Sequence, residues 1–327
     1  MPFLKKRILV LFASGSVLSS RRNTSIFFVD STQDIDKWLA EIPEVSLLAD
    51  IHPLYVVGES DQFTDRTVEQ ITSFLNENHD NYDGFVVLVR ADRLVRTAVI
   101  AEFLLQGFGK PIIFTGSRRV PEKISVRAIA QIIKAGGLGL RSNLINAVQI
   151  ALSKDFPVIG IMFGNKLTKP TRAEVSDFQA INLFKSVDNT YLGKVDFGIS
   201  LNRKTHVSAD RKTYAHLSRV VAVTNFESLP LLLASDMKQD RFKVLLVRLR
   251  ENEMLSVDAV IELRKRFEII MEFNERRIND QRGVIGICGM TWDAAQIKVF
   301  WAHAVAKSAE EFSDLMARNI VDEQIIV

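Results

Sequence analysis

Two hydroxyls bracket a glycine at the end of an apolar run: F-A-S-G-S-V, residues 12–17. A serine in such a turn becomes a nucleophile when a base stands beside it. Gly15 lets the backbone approach a ligand closely. The same serine also fits a purely structural turn, bonded to nearby backbone. A second group of chemistry-bearing residues follows a later apolar run: V-R-A-D-R-L-V-R, residues 89–96. Asp92 suits a base, an amine binder or the N-cap of a following helix. Arg90, Arg93 and Arg96 make a local positive patch that Arg118 and Arg119 extend. Brought together, such arginines suit a carboxylate or phosphate; left apart, they are solvated surface.

Other chemistries find no support in the residue types. The five histidines show no metal-ligand spacing, and His303 reads as a packed residue on a buried helix. One cysteine, Cys288, allows no internal disulfide and no multi-cysteine metal or iron–sulfur site. Neither G-x-G-x-x-G nor G-x-x-x-x-G-K-[ST] occurs. Neither a metal nor a cofactor is expected.

Buried strands alternating with amphipathic helices must position these residues. Lys5–Phe12, Phe85–Val89, Pro111–Phe114 and Val158–Phe163 read as buried strands. Ser46–Val57 is strand-like but is interrupted by Pro53. Helices are expected over Ile35–Leu39, Thr64–Asn76, Thr97–Gln106 and Leu144–Leu152. This alternation implies a doubly wound, mostly parallel α/β sheet. Ligands bind such sheets beyond the carboxyl ends of the strands, which directs attention to the turns ASGS, VRAD and FTGS. Residues 1–200 form this first domain, and the polar stretch 201–219 reads as a linker. A second, smaller α/β domain spans 220–327. It has strands in VVAVTNF, KVLLVRL, EIIMEF and GVIGICGM, and helices near Leu229–Ala234, over Val257–Phe267 and over Trp292–Val305. Trp292, Phe300 and Trp301 fall at helical spacing and read as core.

The 327 residues suit two domains, and 47% hydrophobic with 25% charged content is ordinary globular composition. A net charge of +3 does not point to a nucleic-acid partner. No stretch reaches the roughly 18 apolar residues of a membrane span. The opening M-P-F-L-K-K-R followed by I-L-V-L-F-A-S-G-S has the look of a secretory signal and equally of a first buried strand. The strand reading is favoured by single-cysteine usage, which fits a reducing, cytoplasmic setting, and by the strands that follow.

The order of motifs resembles the asparaginase/glutaminase family, closest to its cytoplasmic, type I branch. ILVLFASGSV looks like the opening strand and T-G-G-T-I turn. NYDGFVVLVRADRLVRTA resembles D-G-[FV]-V-x-x-H-G-T-D-T-[ML]-x-x-T-A. GKPIIFTGSRRVP is similar to G-K-P-V-[IV]-[FV]-T-G-S-Q-x-P, and RSNLINAVQIA to R-x-N-L-x-N-A-x-x-x-A. GVIGICGMTWDAAQIKV resembles the C-terminal G-[VI]-[IV]-G-x-x-[DM]-M-[TL]-x-x-A-x-x-K-L. The resemblance makes Lys5–Phe12 a structural strand, since cleavage after Ser20 would remove it.

The family's mechanism uses a first-turn threonine that attacks a side-chain amide. A second threonine with a lysine and an aspartate relays the proton, and a loop tyrosine supports the nucleophile. A serine and the aspartate hold the substrate's charged groups. By resemblance Ser16 takes the nucleophile position, Ser60 followed by Asp61 the substrate-binding position, and Asp92 that of the aspartate. The second threonine is Ala91, the preceding His-Gly is Val89–Arg90, and the following threonine is Arg93. Glu174 or Val175 stands at the lysine, and no tyrosine lies between Ser16 and Asp50. The stretch 120–139 exceeds the family's usual connection. The expected sites are therefore Ser16 and Asp92 as catalytic residues, with Ser60, Asp61, Arg90 and Arg93 holding a small ligand, anionic on the charge of the arginines.

A serine without a positioned proton acceptor is a poor nucleophile. The reading is a degraded catalytic set that binds a ligand or a protein partner. The alternatives are an amidohydrolase using Ser16 with another base, and an interaction protein with a vestigial pocket. The resemblance implies a homodimer or homotetramer, with neither nucleic-acid nor membrane partners.

Overall fold

The computed structural model describes residues 5–13, 17–20, 25–28, 32–56, 63–117, 139–153, 156–176, 182–196, 198–202, 210–228, 242–250, 253–274 and 283–325. Of 17–20 and 25–28 only the backbone is described. The chain divides into Met1–Ala215 and His216–Val327.

In the first unit β1 (Arg7–Phe12) is apolar on both faces because it sits inside the sheet, between β4 and β5. A hairpin follows, β2 (Val17–Ser20) with β3 (Ser25–Phe28). Next come α1 (Thr32–Leu39), α2 (Pro43–Leu48) and β4 (Asp50–Tyr55). The strand expected over Ser46–Val57 is thus shorter. Pro43 starts a helix at its first turn, where its missing N–H costs nothing. Pro53 lies in β4, opposite Val10, and β4 is the sheet edge, so no ladder bond is lost beyond it.

The chain continues through α3 (Asp65–Glu77), β5 (Gly84–Leu88), α4 (Ala91–Leu104), β6 (Leu105–Gln106) and β7 (Ile112–Thr115). It then forms α5 (Leu140–Ala151), β8 (Ile159–Phe163), β9 (Lys166–Thr168) and a 3₁₀ turn at Pro170–Arg172. After these come β10 (Ala173–Val175), β11 (Phe184–Ser186), β12 (Gly193–Val195), β13 (Ile199–Leu201) and β14 (Lys212–Thr213). The main sheet runs β13-β12-β9-β8-β7-β5-β1-β4. From β4 to β8 it is parallel; β9, β12 and β13 extend it antiparallel.

The mostly parallel α/β expectation is borne out. The antiparallel extension was not foreseen, because three-residue strands of mixed polarity carry almost no period-2 signal. One face of the sheet offers Ile8, Val10, Phe12, Val86, Leu88 and Ile113 to Ile35, Trp38, Val45, Leu144 and Val148. Phe12 and Trp38 meet edge to face at 6.1 Å. Each such side chain contributes about 1.5–3 kcal/mol by leaving water.

Of the expected linker 201–219, Leu201 closes β13, while Lys212 and Thr213 pair with Gln106 and Leu105. Gly107 has φ +61, and a Cβ there would lie 2.3 Å from the Asp210 carbonyl oxygen.

The second unit carries β15 (Ala222–Asn225), β16 (Val244–Arg248), α6 (Val257–Arg264), β17 (Ile269–Phe273), β18 (Ile285–Ile287), α7 (Trp292–Val305) and α8 (Ala309–Ala317). Its sheet β15-β16-β17-β18 is parallel. The expected helix near Leu229–Ala234 lies outside the described residues. Of the three aromatics on α7, Trp301 is buried, but Trp292 is only partly so, with the Arg248 guanidinium 5.2 Å from its ring centre. Phe300 is likewise only partly buried. His303 is packed as expected. Its Nε2 lies 3.0 Å from the Phe242 carbonyl oxygen and its Nδ1 2.8 Å from Ser218 Oγ. A carbonyl only accepts, so Nε2 carries the proton and, in the neutral ring, Nδ1 accepts from the serine.

One ion pair closes the second unit. Lys298 on α7 and Glu323 are both fully buried, 2.6 Å apart. The ammonium also donates to the Arg318 carbonyl at 2.5 Å, and the carboxylate accepts from the Ile320 and Val321 amides. Burial pushes the Lys298 ammonium below its ordinary pKa, and Glu323 opposes this. Glu323→Ala leaves a buried cation unpaired and is expected to cost about 3–5 kcal/mol, read by chemical denaturation.

In the first unit, burial raises the Asp188 carboxyl, but bonds from Ser186 and Thr190, with Arg172 beside it, hold it down to about 2. A depressed carboxyl adds stability that is whole above its unfolded value, 3.8, and is lost as pH falls through about 2. Acid denaturation of wild type against Asp188→Asn is expected to differ by up to ~2 kcal/mol above pH ~4 and to converge near pH ~2.

Candidate functional site

Parallel pairing brings several strand ends to one edge of the sheet. The Ala13 amide donates to the Leu88 carbonyl at 3.0 Å, Val56 to Phe12 at 3.1 Å, and Val89 to Thr115 at 2.9 Å. The turns after β1, β4, β5 and β7 therefore leave from neighbouring points. Ser16, Ser60, Asp61, Arg118 and Arg119 follow these strands in the sequence and lie outside the described residues, as does nearly all of the long stretch 120–139.

Thr115 is buried, and its hydroxyl donates to the Met162 carbonyl at 2.7 Å. Gly116 follows, where a Cβ would stand 2.0 Å from the Val89 carbonyl oxygen, so the ends of β5 and β7 meet only through a glycine. Asn143, in the first turn of α5, bridges two strand ends. Its Nδ2 donates to the Gly116 carbonyl at 2.8 Å, and its Oδ1 accepts from the Gly164 amide at 3.0 Å. Arg141 ties the same helix to α2 through Glu44, at 2.6 and 2.7 Å, and the Glu41 carbonyl. The R-S-N-L match thus contributes supports for the strand ends. Sequence reading located these residues but not their work.

At the β5–α4 junction the helix begins at Ala91, six residues earlier than its apolar pattern implied. Arg90 occupies the N-cap and Asp92 lies inside the first turn, so Asp92 is not the cap. A first-turn carboxylate is favoured by the helix dipole. Both Asp92 oxygens accept from the Arg90 guanidinium, at 3.1 and 2.8 Å, with both side chains partly exposed. Arg96 forks onto Asp65 at 2.8 and 2.6 Å, tying α4 to the start of α3. The local arginine patch is therefore largely neutralised by its own neighbours. Arg93 is exposed, and its guanidinium has no partner among the described residues. Ala91 is buried.

Glu174 and Val175 lie exposed on β10, opposite Lys185 and Phe184. A buried carboxylate stands elsewhere on α4: Glu102 meets the partly buried Lys169, beyond β9, at 3.1 Å and accepts from the Thr171 amide at 3.1 Å. Burial raises the Glu102 pKa, against Lys169 and Thr171. Ten residues of helix separate Glu102 from Asp92, about 15 Å at the helical rise. Lys169 follows Thr168, which pairs with Ile161 away from the strand ends. Among the described residues no cluster suits a metal ion, and no helix is long and apolar enough to cross a membrane.

Residues 7–208 match the family defined as asparaginase, N-terminal. The chain belongs to the asparaginase family. It is 27% identical over 183 residues to L-asparaginase 1 of Escherichia coli (strain K12), a match covering 54% of this chain and 50% of that protein. The matched stretch thus spans about half the length of that curated relative. The fold is similar to the thermostable L-asparaginase from Thermococcus kodakarensis, with a TM-score of 0.75 at 18% identity, covering 98% of this chain and 100% of that one. It is equally similar to L-asparaginase I from Vibrio cholerae, at 0.75 and 21% over 98% and 100%. At these identities the two structures speak to fold. The asparaginase fold, with its large, mostly parallel sheet and second, smaller sheet domain, is thereby established for this chain.

Gly116→Ala is expected to cost about 1–3 kcal/mol through the clash with Val89. Gly198→Ala, where a Cβ meets nothing within 4 Å, serves as its control and leaves the melting temperature unchanged.

Proposed function

We propose that this asparaginase-family chain lacks ordinary asparaginase turnover and binds a small anionic ligand at its strand-end face. One observation carries the reading. The residue that heads α4, at the position the resemblance gives to the relay threonine, is Ala91, whose buried methyl group moves no proton. A hydroxyl at Ser16 then lacks that acceptor. Asp92 beside it has both oxygens engaged by Arg90. The position of the family lysine falls on Glu174 or Val175, and the stretch from Ser16 to Asp50 contains no tyrosine. Removing groups that act as a unit lowers turnover by ~10³-fold or more. Arg93 supplies an exposed cation for the ligand, and Ser60 and Asp61 join it in this reading. The sequence resemblance to the family's cytoplasmic branch and the single cysteine support a cytoplasmic homodimer or homotetramer as the working form in this reading.

Ammonia release from asparagine and glutamine tests the first half. The expected outcome is release no greater than that of Ser16→Ala. Enzyme-like release that disappears in Ser16→Ala overturns the reading in favour of an amidohydrolase with another base. Thermal shift against amino acids, dicarboxylates and nucleotides tests the second half. A ligand at 100 times its Kd adds ~2.7 kcal/mol to stability, and Arg93→Ala is expected to abolish the shift. A panel with no stabilising member leaves a vestigial pocket, and the ligand proposal fails.

A further inference from the structure

The antiparallel extension of the main sheet sets two lysines directly across from each other. Lys166 of β9 pairs with Lys194 of β12, and Lys194 pairs on its other side with Ser200 of β13. Residues directly opposite share a face, so Lys166, Lys194 and Ser200 form one row across three strands. Like charges so placed repel and weaken the ladder. Neither lysine has a carboxylate partner among the described residues. The Lys166 ammonium instead donates to the Tyr191 hydroxyl at 3.0 Å and lies 4.2 Å from the centre of its ring. Lys166 and Tyr191 are half-buried; Lys194 and Ser200 are exposed.

Asp196, two residues from Lys194, accepts from Asn165 Nδ2 at 2.9 Å. The same asparagine's Oδ1 is buried and has no hydrogen-bond partner, immediately before Lys166. With Tyr191 beside it, the row thus combines two cations, a phenol and a hydroxyl, and among the described residues neither lysine forms an ion pair with a carboxylate.

We propose that Lys166, Lys194, Tyr191 and Ser200 form a binding site for a phosphate-type dianion. Two ammonium groups match its charge, and lysine suits phosphate as a point-charge donor. The Tyr191 hydroxyl, while accepting from Lys166, turns its own proton toward the anion. Ser200 provides a further donor at the end of the row. Binding removes the repulsion between the two lysines, so the anion also stabilises the ladder. The site is displaced sideways from the ends of β1 and β5: β9 and β12 lie beyond β8 and β7 in the strand order.

Tyr191 reports on the site. The Lys166 hydrogen bond, aided by a Ser186 backbone bond and by the charges of Lys166 and Lys194, lowers its pKa, against burial. A bound dianion opposes phenolate formation. Tyrosinate absorbance is therefore titrated for wild type and Tyr191→Phe; their difference isolates one of the four tyrosines. Inorganic phosphate is compared with chloride and with acetate at equal ionic strength, and a phosphate monoester sugar separates free phosphate from an esterified group. The expected result is a phosphate-specific rise of about half a pH unit or more in the Tyr191 titration. Calorimetric phosphate affinity is expected to fall at least tenfold in Lys194→Ala, an exposed change that leaves the fold intact, and to be unchanged in Ser16→Ala. A Tyr191 titration that moves no more with phosphate than with acetate overturns the proposal. So does phosphate affinity that survives Lys166→Ala/Lys194→Ala in a folded protein.

Discussion

The parallel register of β4, β1, β5 and β7 is the constraint on which the strand-end face depends. It brings the carboxyl ends of these strands to one edge of the sheet. Gly116 makes the register possible where β5 and β7 finish, since any side chain there would meet the Val89 carbonyl. Asn143 then fixes the ends of β7 and β8 relative to each other with one side chain. A parallel sheet buried on both faces has no solvent to satisfy stray backbone groups, so such amide bridges are structural necessities. They hold whether or not the face above them turns over a substrate.

This separation of frame from chemistry is what makes the β5–α4 junction informative. The frame is that of the asparaginase family, but at the junction two charged residues have closed on each other. Arg90 and Asp92 form a fork across the start of a helix, and Arg96 is drawn down to Asp65. Charges that satisfy one another contribute to local order. Arg93 alone among the described arginines of this patch is left facing water without a partner. The buried Glu102 on the same helix repeats the principle with the partly buried Lys169, joining α4 to the turn after β9.

In the second unit the buried Lys298–Glu323 pair plays a different part. Burying two charges is costly unless each finds its full set of partners. Here the lysine takes a carboxylate and a carbonyl, and the carboxylate takes two backbone amides. The segment after α8 is therefore held by polar groups in an apolar setting. A composition-based reading has no means of detecting this, because the two residues are 25 positions apart along the chain.

The amino-acid sequence by itself determined the alternation of buried strands and helices, the parallel sheet and the family. Continuous apolar runs and the T-G-S and R-S-N-L motifs are local signals that neighbouring residues carry together. It also determined that residue 91 has no hydroxyl. Tertiary structure decided where α4 begins, since a strand end that feeds straight into a helix recruits charged residues into its first turn. It decided that Pro53 is tolerable, because β4 is an edge. Only folding set Lys166 across from Lys194 and Asn143 between two strand ends. Those relations join segments far apart along the chain, and the distance between them in space is fixed by the packed sheet.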